Sequence, residues 1–416
     1  MNNRRHKQEA PSSANQPVPG QLGYRQLNYH QLQRGWRRVS SGGTRRMVIV
    51  GVILVPILLF TVWRIVSQPS PRLTEVTRYA QNGKIASRVD SLLSQQAAHQ
   101  QFSGSVLIAY RDQVLLSKGY SMADWRRRVP NTPHTRFYLG STSKQFTAMA
   151  ILILQERGKL HVSDHLCTYI VPCPPAWRPV TIHEVLTHTS GIPQLDASSL
   201  STASPRSWIA SFNGFSLVYT PGSQFSYCSI CYQILGYVVE QVSGESYSAF
   251  LQQAIFGPLH MKDSGSGDAD YTSIPNHAAG YAGWRVLDTY AGMDVTPQWT
   301  FLFGSGLVYS NAEDMYRWDQ ALSHQTLVSQ QTLKEAFTPY VASQYAGSSY
   351  GYGWFIAHSP VPGHRLIWHD RKIPGFRSYI GRYPDDGVTI IILSNLATVD
   401  EMALAHELEQ IVFAYV

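Results

Sequence analysis

Apolar residues follow no period through residue 46, a stretch rich in Gln, Ser, Gly, Pro and Arg that buries too little surface to offset chain entropy and is expected to be disordered. Met47 to Trp63 then runs 17 residues without a charge. That is about 25 Å of helix, at the short end of what spans a bilayer, and a transmembrane helix is predicted over 47–66. Pro56 is tolerable inside such a helix. After a linker over 67–83, Ile85, Val89, Leu92 and Leu93 recur at helical spacing. Gly104–Tyr110 and Gln113–Gly119 alternate and are joined at Arg111-Asp112, which predicts a β-hairpin. From Ser141 to Arg157, Phe146, Met149, Leu152 and Ile153 mark one face of a helix, closed by Gly158. Residues 160–300 mix loops with helical segments. From Tyr350 to Asn395 strand patterns return (YGYGWFIA, RLIWH, SYIGRYP, VTIIILS), and Met402, Ala405, Leu408 and Val412 predict a closing helix. Strands at both ends around a helical middle predict an α/β chain of the α+β kind. Its antiparallel sheet, from about 84–140 and 345–416, is covered by terminal helices and carries an inserted, mostly helical subdomain over about 141–344.

Charge sharpens this division. The 416 residues carry 34 Lys and Arg against 27 Asp and Glu, a net of +7. Residues 1–46 hold nine basic residues and one acid, a net of +8, so the rest of the chain is at −1. A nearly neutral body argues against a nucleic-acid-binding domain, which needs clustered cations on a folded face. With 44% apolar residues the body is also not disordered. Five Lys or Arg lie within 20 residues on the N-terminal side of the apolar run (Arg34, Arg37, Arg38, Arg45, Arg46) and three on the other (Arg64, Arg72, Arg78). That bias predicts a single-pass protein with a cytoplasmic N-terminus and an extracytoplasmic folded domain. A cleaved signal peptide fits less well, because the leader is long and no A-x-A site follows. A rival reading makes the basic tail itself the working part, binding nucleic acid or anionic lipid. Among the four cysteines, Cys167 and Cys173 are expected to close a small loop as a disulfide. Cys228 and Cys231, three apart in a predicted helix, are expected to be buried free thiols.

The candidate chemistry opens the helix at Gly140-Ser141-Thr142-Ser143-Lys144. A Ser and a Lys three apart project from one helix face, so the amine can sit beside the hydroxyl. Burial makes that lysine a better proton acceptor, and the helix N-terminus favours negative charge on the serine oxygen. The plainer alternative is a helix cap followed by a surface lysine. Two other motifs fail on context. Gly347-Ser348-Ser349-Tyr350-Gly351 matches G-x-S-x-G but lacks the buried strand before it and the helix after it. His183, Glu184 and His188 resemble a zinc-protease motif, but the histidines are five apart where four are needed. No metal or other cofactor is expected.

Further motifs stand in order around Ser141: Phe102-Ser103-Gly104-Ser105-Val106, Pro130-Asn131-Thr132-Pro133, Leu186-Thr187-His188-Thr189-Ser190-Gly191, Pro221-Gly222 with Phe225-Ser226-Tyr227, Tyr350-Gly351-Tyr352-Gly353-Trp354, and Pro374-Gly375-Phe376 before Ile391-Ile392-Leu393-Ser394-Asn395. From about residue 85 to 416 the chain resembles the serine hydrolases related to class C β-lactamases, D-alanyl-D-alanine carboxypeptidases and the esterases of that fold. The resemblance implies a β-lactamase/transpeptidase-like fold and a nucleophile, Ser141, assisted by Lys144. It implies that Tyr227, in Tyr227-Cys228-Ser229, is the general base, with Ser229 standing where relatives carry Asn. It also matches His369-Asp370-Arg371-Lys372 to the family's third motif, with the Lys372 backbone N–H joining that of Ser141 in the oxyanion hole. Arg371 departs from the pattern, standing where a glycine lets substrate lie against the strand. It either narrows the cleft, binds a substrate carboxylate, or marks a silenced site. The function expected is a membrane-anchored serine hydrolase forming an acyl-enzyme on a D-Ala peptide, β-lactam or small ester. The alternative is an impaired relative that serves as a binding or scaffold protein. The partners expected are a small-molecule or peptide substrate and the membrane, with no nucleic acid.

Overall fold

The computed structural model describes residues 72–194, 205–267, 273–282 and 303–416. Strands β1 (Gly104–Tyr110) and β2 (Gln113–Tyr120) form the predicted hairpin. Arg111 and Asp112 at its tip have φ of 47° and 64°, the left-handed values that a tight two-residue hairpin turn demands. The C-terminal part adds β3 (Val341–Ala342), β4 (Ser349–Tyr350), β5 (Phe355–His358), β6 (Arg365–Ile373), β7 (Phe376–Tyr383) and β8 (Val388–Ser394). The strands lie in the order β2-β1-β8-β7-β6-β5-β4-β3, antiparallel throughout. Gly104 faces Ser394 and Tyr110 faces Val388, so strands from the two ends of the domain sequence pair at its centre.

Among the described residues the five longer helices are α1 (Arg72–Ala98), α2 (Lys144–Glu156), α3 (Ser229–Ser243), α4 (Ala312–His324) and α5 (Glu401–Phe413), of which α1, α4 and α5 pack on the sheet while α2 and α3 pack on each other. Alternation along the strands sorts the core into two layers. Val106, Ile108, Ile390 and Ile392 pack with Ile85, Val89 and Leu93 of α1 and Leu404, Leu408 and Val412 of α5. Leu107, Ile380, Ile391 and Leu393 face the other way, onto the core that also holds Phe146, Leu152 and Trp318. Burying each such side chain contributes about 1.5–3 kcal/mol. β8 is buried on both faces, and its sequence VTIIILS is accordingly apolar apart from the hydrogen-bonded Thr389 and Ser394. One buried ion pair locks α4 to the sheet. Arg382 of β7 donates from Nε to Asp319 at 2.5 Å, and the Thr389 hydroxyl of β8 donates to the same carboxylate at 2.8 Å.

Four expectations change. The membrane anchor is corrected: among the described residues no helix is long and apolar enough to cross a membrane. α1 is long, but Arg72, Glu75, Arg78, Lys84, Arg88 and Asp90 make it a charged helix that covers the sheet. The apolar run at 47–66 on which the anchor rested lies outside the described residues, as does the tail expected to be disordered. The membrane partner, the single-pass topology and the extracytoplasmic placement fall with the anchor, and the functional reading below is built without them. Second, α1 begins at Arg72, inside the stretch expected to be linker. Third, YGYGWFIA is not one strand. Gly351 N–H donates to the Trp354 carbonyl at 2.8 Å, turning the chain between β4 and β5. Fourth, both cysteine pairs are disulfides, Cys167–Cys173 as expected and Cys228–Cys231 against expectation. Cys228 is not inside a helix; it is the N-cap of α3, with extended φ −123° and ψ 100°, and this lets its sulfur fold back over the first turn to Cys231.

Behind β6 a half-buried Asp370 neighbours the buried Glu401. Burial raises the Asp370 carboxyl to about 6 and the Glu401 carboxyl to about 7, with Lys372 opposing the rise at both and Arg377 at Glu401. A carboxyl raised in the folded state holds a proton that the unfolded chain releases near pH 4, so its stabilisation is lost as pH rises through the folded value. Buried neutral histidines push whole-protein stability the other way over part of this range, so the informative comparison is between variants. Glu401→Gln is expected to raise the unfolding free energy from chemical denaturation at pH 8 by on the order of 1–3 kcal/mol, and to change it little at pH 4.5. Equal effects at both values would contradict the assignment.

Candidate active site

The Gly140–Ser143 segment makes one tight turn that runs directly into α2, and all four residues are buried. Gly140 sits at φ +53°, and a Cβ there would come within 2.5 Å of the Arg371 Cγ, so conformation and space both call for glycine. The turn is held from two sides. The Thr142 and Ser378 hydroxyls lie 2.9 Å apart, with Ser378 donating on to the Leu139 carbonyl at 2.7 Å. From the other side Val308 N–H donates to the Ser143 hydroxyl at 3.1 Å.

This brings Ser141 and Lys144 together. Lys144 is fully buried and its Nζ donates to Ser141 Oγ at 2.8 Å and to the Ser305 carbonyl at 3.1 Å. Its ammonium position lies 5.0 Å from the centre of the Tyr227 ring and 5.6 Å from that of Tyr232. Burial, reinforced by the positive charge of Arg371, holds the Lys144 amine well below the usual lysine range. Burial pushes the half-buried Tyr227 phenol up, opposed by a hydrogen bond with Ser141 and by the Arg371 charge. Both shifts favour the neutral amine beside a neutral phenol over an ammonium beside a phenolate. The Lys144 amine hydrogen-bonded to Ser141 can therefore offer a lone pair to a proton there, with the Tyr227 ring beside it.

The third-motif residues line the edge. His369 and Arg371 alternate onto the same sheet face as the buried Ile367 of β6 and Ile380 of β7. His369 is 1% exposed; its Nδ1 donates to the Asp370 carbonyl at 2.8 Å and its Nε2 lies 3.3 Å from the Tyr350 hydroxyl. Burial and the Lys144 charge lower it to about 3, so the imidazole is neutral. It neighbours the Tyr227 ring at 6.4 Å and makes no hydrogen bond to Ser141 or Lys144. Arg371 packs its stem against Gly140, its Nε is buried without a hydrogen-bond partner, and among the described residues it forms no ion pair. The Lys372 side chain is exposed, and its charge acts on Asp370 and Glu401 behind the strand. Ser229 opens α3 next to the tyrosine but does not bond Lys144, whose second partner is the Ser305 carbonyl.

Ser305 escaped the sequence reading, although Phe303-Gly304-Ser305-Gly306 carries a signal in its paired glycines. A Cβ on Gly304 would lie 2.3 Å from the Tyr232 carbonyl, so glycine is what lets this segment reach the lysine. Tyr232 and Tyr350, which wall the lysine and His369, gave no separable signal in an aromatic-rich chain. His183 and Glu184 serve local structure. His183 Nδ1 lies 2.7 Å from the Tyr352 hydroxyl, and Glu184 closes a capping box with Thr181. Among the described residues no cluster of three or more His, Cys, Asp or Glu is arranged to hold a metal ion.

Comparison with known proteins places this geometry. The family model described as Beta-lactamase matches residues 89–412. The chain is 33% identical over 295 residues to the putative penicillin-binding protein PbpX of Bacillus subtilis, covering 70% of each. It is 29% identical to penicillin-binding protein 4* of the same organism, covering 75% of this chain and 73% of that one. Among solved structures it is similar to the octameric penicillin-binding protein homologue from Pyrococcus abyssi, with a TM-score of 0.69, 26% identity, and coverage of 79% of this chain and 77% of that one.

Proposed function

This chain belongs to the beta-lactamase family, within the superfamily of β-lactamase, penicillin-binding-protein, carboxypeptidase and esterase serine hydrolases, and from that premise we propose that it is an acyl-transferring hydrolase with Ser141 as nucleophile. The observation that carries this reading is the 2.8 Å hydrogen bond between Ser141 and a buried lysine of depressed basicity. Ser141 Oγ forms a bond to the carbonyl carbon as its proton passes to Lys144 Nζ. The negative charge on the carbonyl oxygen is met by the backbone N–H groups of Ser141 and Lys372. The proton then travels through the Tyr227 hydroxyl to the leaving nitrogen or oxygen as the C–N or C–O bond breaks, leaving an acyl-enzyme. Water repeats the sequence in reverse, giving its proton to the same pair and releasing the acid. His369 is neutral and holds the far side of the Tyr227 pocket without exchanging the proton. The names of the relatives, penicillin-binding protein and beta-lactamase, support a β-lactam as substrate or ligand, and the D-alanyl peptide and small ester classes rest on the resemblance of the motifs.

A second reading has one observation behind it. Arg371 stands where the family carries glycine, beside the nucleophile turn, which suits a relative that retains the fold for binding and turns over little. One experiment tests both. Full-length protein is treated with a fluorophosphonate and, separately, a β-lactam, and the mass of the Ser141 peptide is followed for the natural chain and for Arg371→Gly. A Ser141 adduct on the natural chain within minutes is the expected result. Folded protein without an adduct would refute the hydrolase reading, and an adduct confined to Arg371→Gly, faster by about 100-fold, would favour the binding protein.

A further inference from the structure

The segment Leu186–Gly191 has no part in the chemistry above, yet its histidine touches the tyrosine relay on three sides. His188 follows the short helix Ile182–Leu186, is fully buried, and has φ +59°, a conformation L-residues rarely adopt. Its carbonyl accepts the Ser226 N–H at 2.9 Å and its ring Nδ1 accepts the Cys228 N–H at 3.0 Å. The backbone N–H groups of the residues on either side of Tyr227 are thus tied to one residue. The ring itself lies against that of Tyr227, centroids 4.4 Å apart and tilted by 36°. The Tyr219 hydroxyl donates to the same carbonyl at 3.4 Å. Beyond Cys228 the chain is pinned again by the Cys228–Cys231 disulfide, with the Ser190 hydroxyl 3.4 Å from the Cys231 sulfur.

We propose that His188 is the positioning residue that fixes the Tyr227 hydroxyl at Ser141, by holding the backbone on both sides of the tyrosine and one face of its ring. The inference rests on the role given to Tyr227 in the hydrolase reading. Accepting the Cys228 N–H requires an unprotonated Nδ1, and therefore a neutral imidazole. The groups facing the ring keep it so. Burial among Tyr227, Tyr232, Tyr350 and Phe225 is the largest cause, and a proton on the neighbouring Lys144 or His369 would oppose a second cation further.

The test reads the rate at which a fluorophosphonate labels Ser141 in the full-length chain. His188→Phe keeps a ring without an acceptor, whereas His188→Asn offers a carboxamide oxygen close to the position of Nδ1. The phenylalanine variant is expected to label about 30-fold more slowly or worse, and the asparagine variant within about fivefold of the natural chain. In a Tyr227→Phe background the His188→Phe change is expected to add less than about twofold, because both act through one hydroxyl. Equal losses for Phe and Asn, or a full loss that persists without the Tyr227 hydroxyl, overturn the proposal in favour of a merely structural histidine. If His188→Phe does not fold, the natural chain still decides. With ¹⁵N-labelled histidine, His188 is expected to show an unprotonated Nδ1 throughout roughly pH 6 to 8, and a protonated or titrating Nδ1 overturns the clamp. A folded natural chain that takes no label refutes the hydrolase reading and this inference with it. A labelled chain whose His188 variants behave alike refutes the inference alone.

Discussion

Methionine in place of Lys144 is expected to slow acylation of Ser141 by about 10³-fold or more and, in the same protein, to raise thermal stability. The two effects have one cause. Lys144 is fully buried, and burial together with the Arg371 charge depresses its basicity. Folding therefore bears the penalty of taking an amine out of water, and under the proposed function that strain supplies a neutral base 2.8 Å from Ser141. Methionine fills a similar volume, restores the apolar contact with Tyr227 and Tyr232, and removes both the penalty and the base. Fluorophosphonate labelling rates and a thermal melt on the same preparation check the pair of outcomes. Ser141→Ala removes the reaction as completely but leaves the buried amine, so its melting temperature is expected to move less. A Lys144→Met chain that labels at the natural rate would show that the lysine is not the base, and one that melts lower would show that the amine is well solvated.

Alanine in place of Asp319 carries the largest expected stability loss outside the site, about 3–5 kcal/mol. Asp319 and Arg382 are 2% and 4% exposed. The carboxylate accepts from Arg382 and from Thr389, and the guanidinium also donates to the Ser323 hydroxyl at 2.9 Å. Phe337 and Trp354 lie over the guanidinium at 5.3 and 5.9 Å, which limits how far water can replace the lost partner. Removing the acid strands a buried cation; removing both partners does not. Asp319→Ala with Arg382→Met is accordingly expected to recover more than half of the loss. Urea denaturation of the single and double variants measures this, and a single-variant loss under about 1 kcal/mol would mean the pair is open to solvent.

Much of the architecture was legible because it is written in short periods. The alternation of Val106 and Ile108 against Leu107, and the continuous run of β8, follow from a pleat that points successive side chains to opposite faces. The helix that begins at Lys144 was legible for the same reason, although Ser141, expected inside it, lies in the tight turn that leads into it. Where two local signals compete, periodicity misled. The alternating aromatics of Tyr350 to Trp354 read as a strand, but their glycines make a turn. Cys228 and Cys231 read as two thiols inside a helix until the cap geometry of Cys228 made them neighbours. Ser305 was missed because its contribution is a backbone carbonyl, which every residue possesses.

Taken alone, the sequence determined the antiparallel sheet assembled from both ends of the domain, the helix presenting Ser141 and Lys144, and, through the order of its motifs, the family. The tertiary structure decided the chemistry of that site. It buried Lys144 from segments 161 residues apart, set Arg371 against Gly140, and gathered His188, Tyr227 and His369 around one phenol. The division has a physical reason. A side chain's face follows from the local repeat of its own backbone, whereas its protonation and reach depend on the water, charges and carbonyls that distant segments remove or bring.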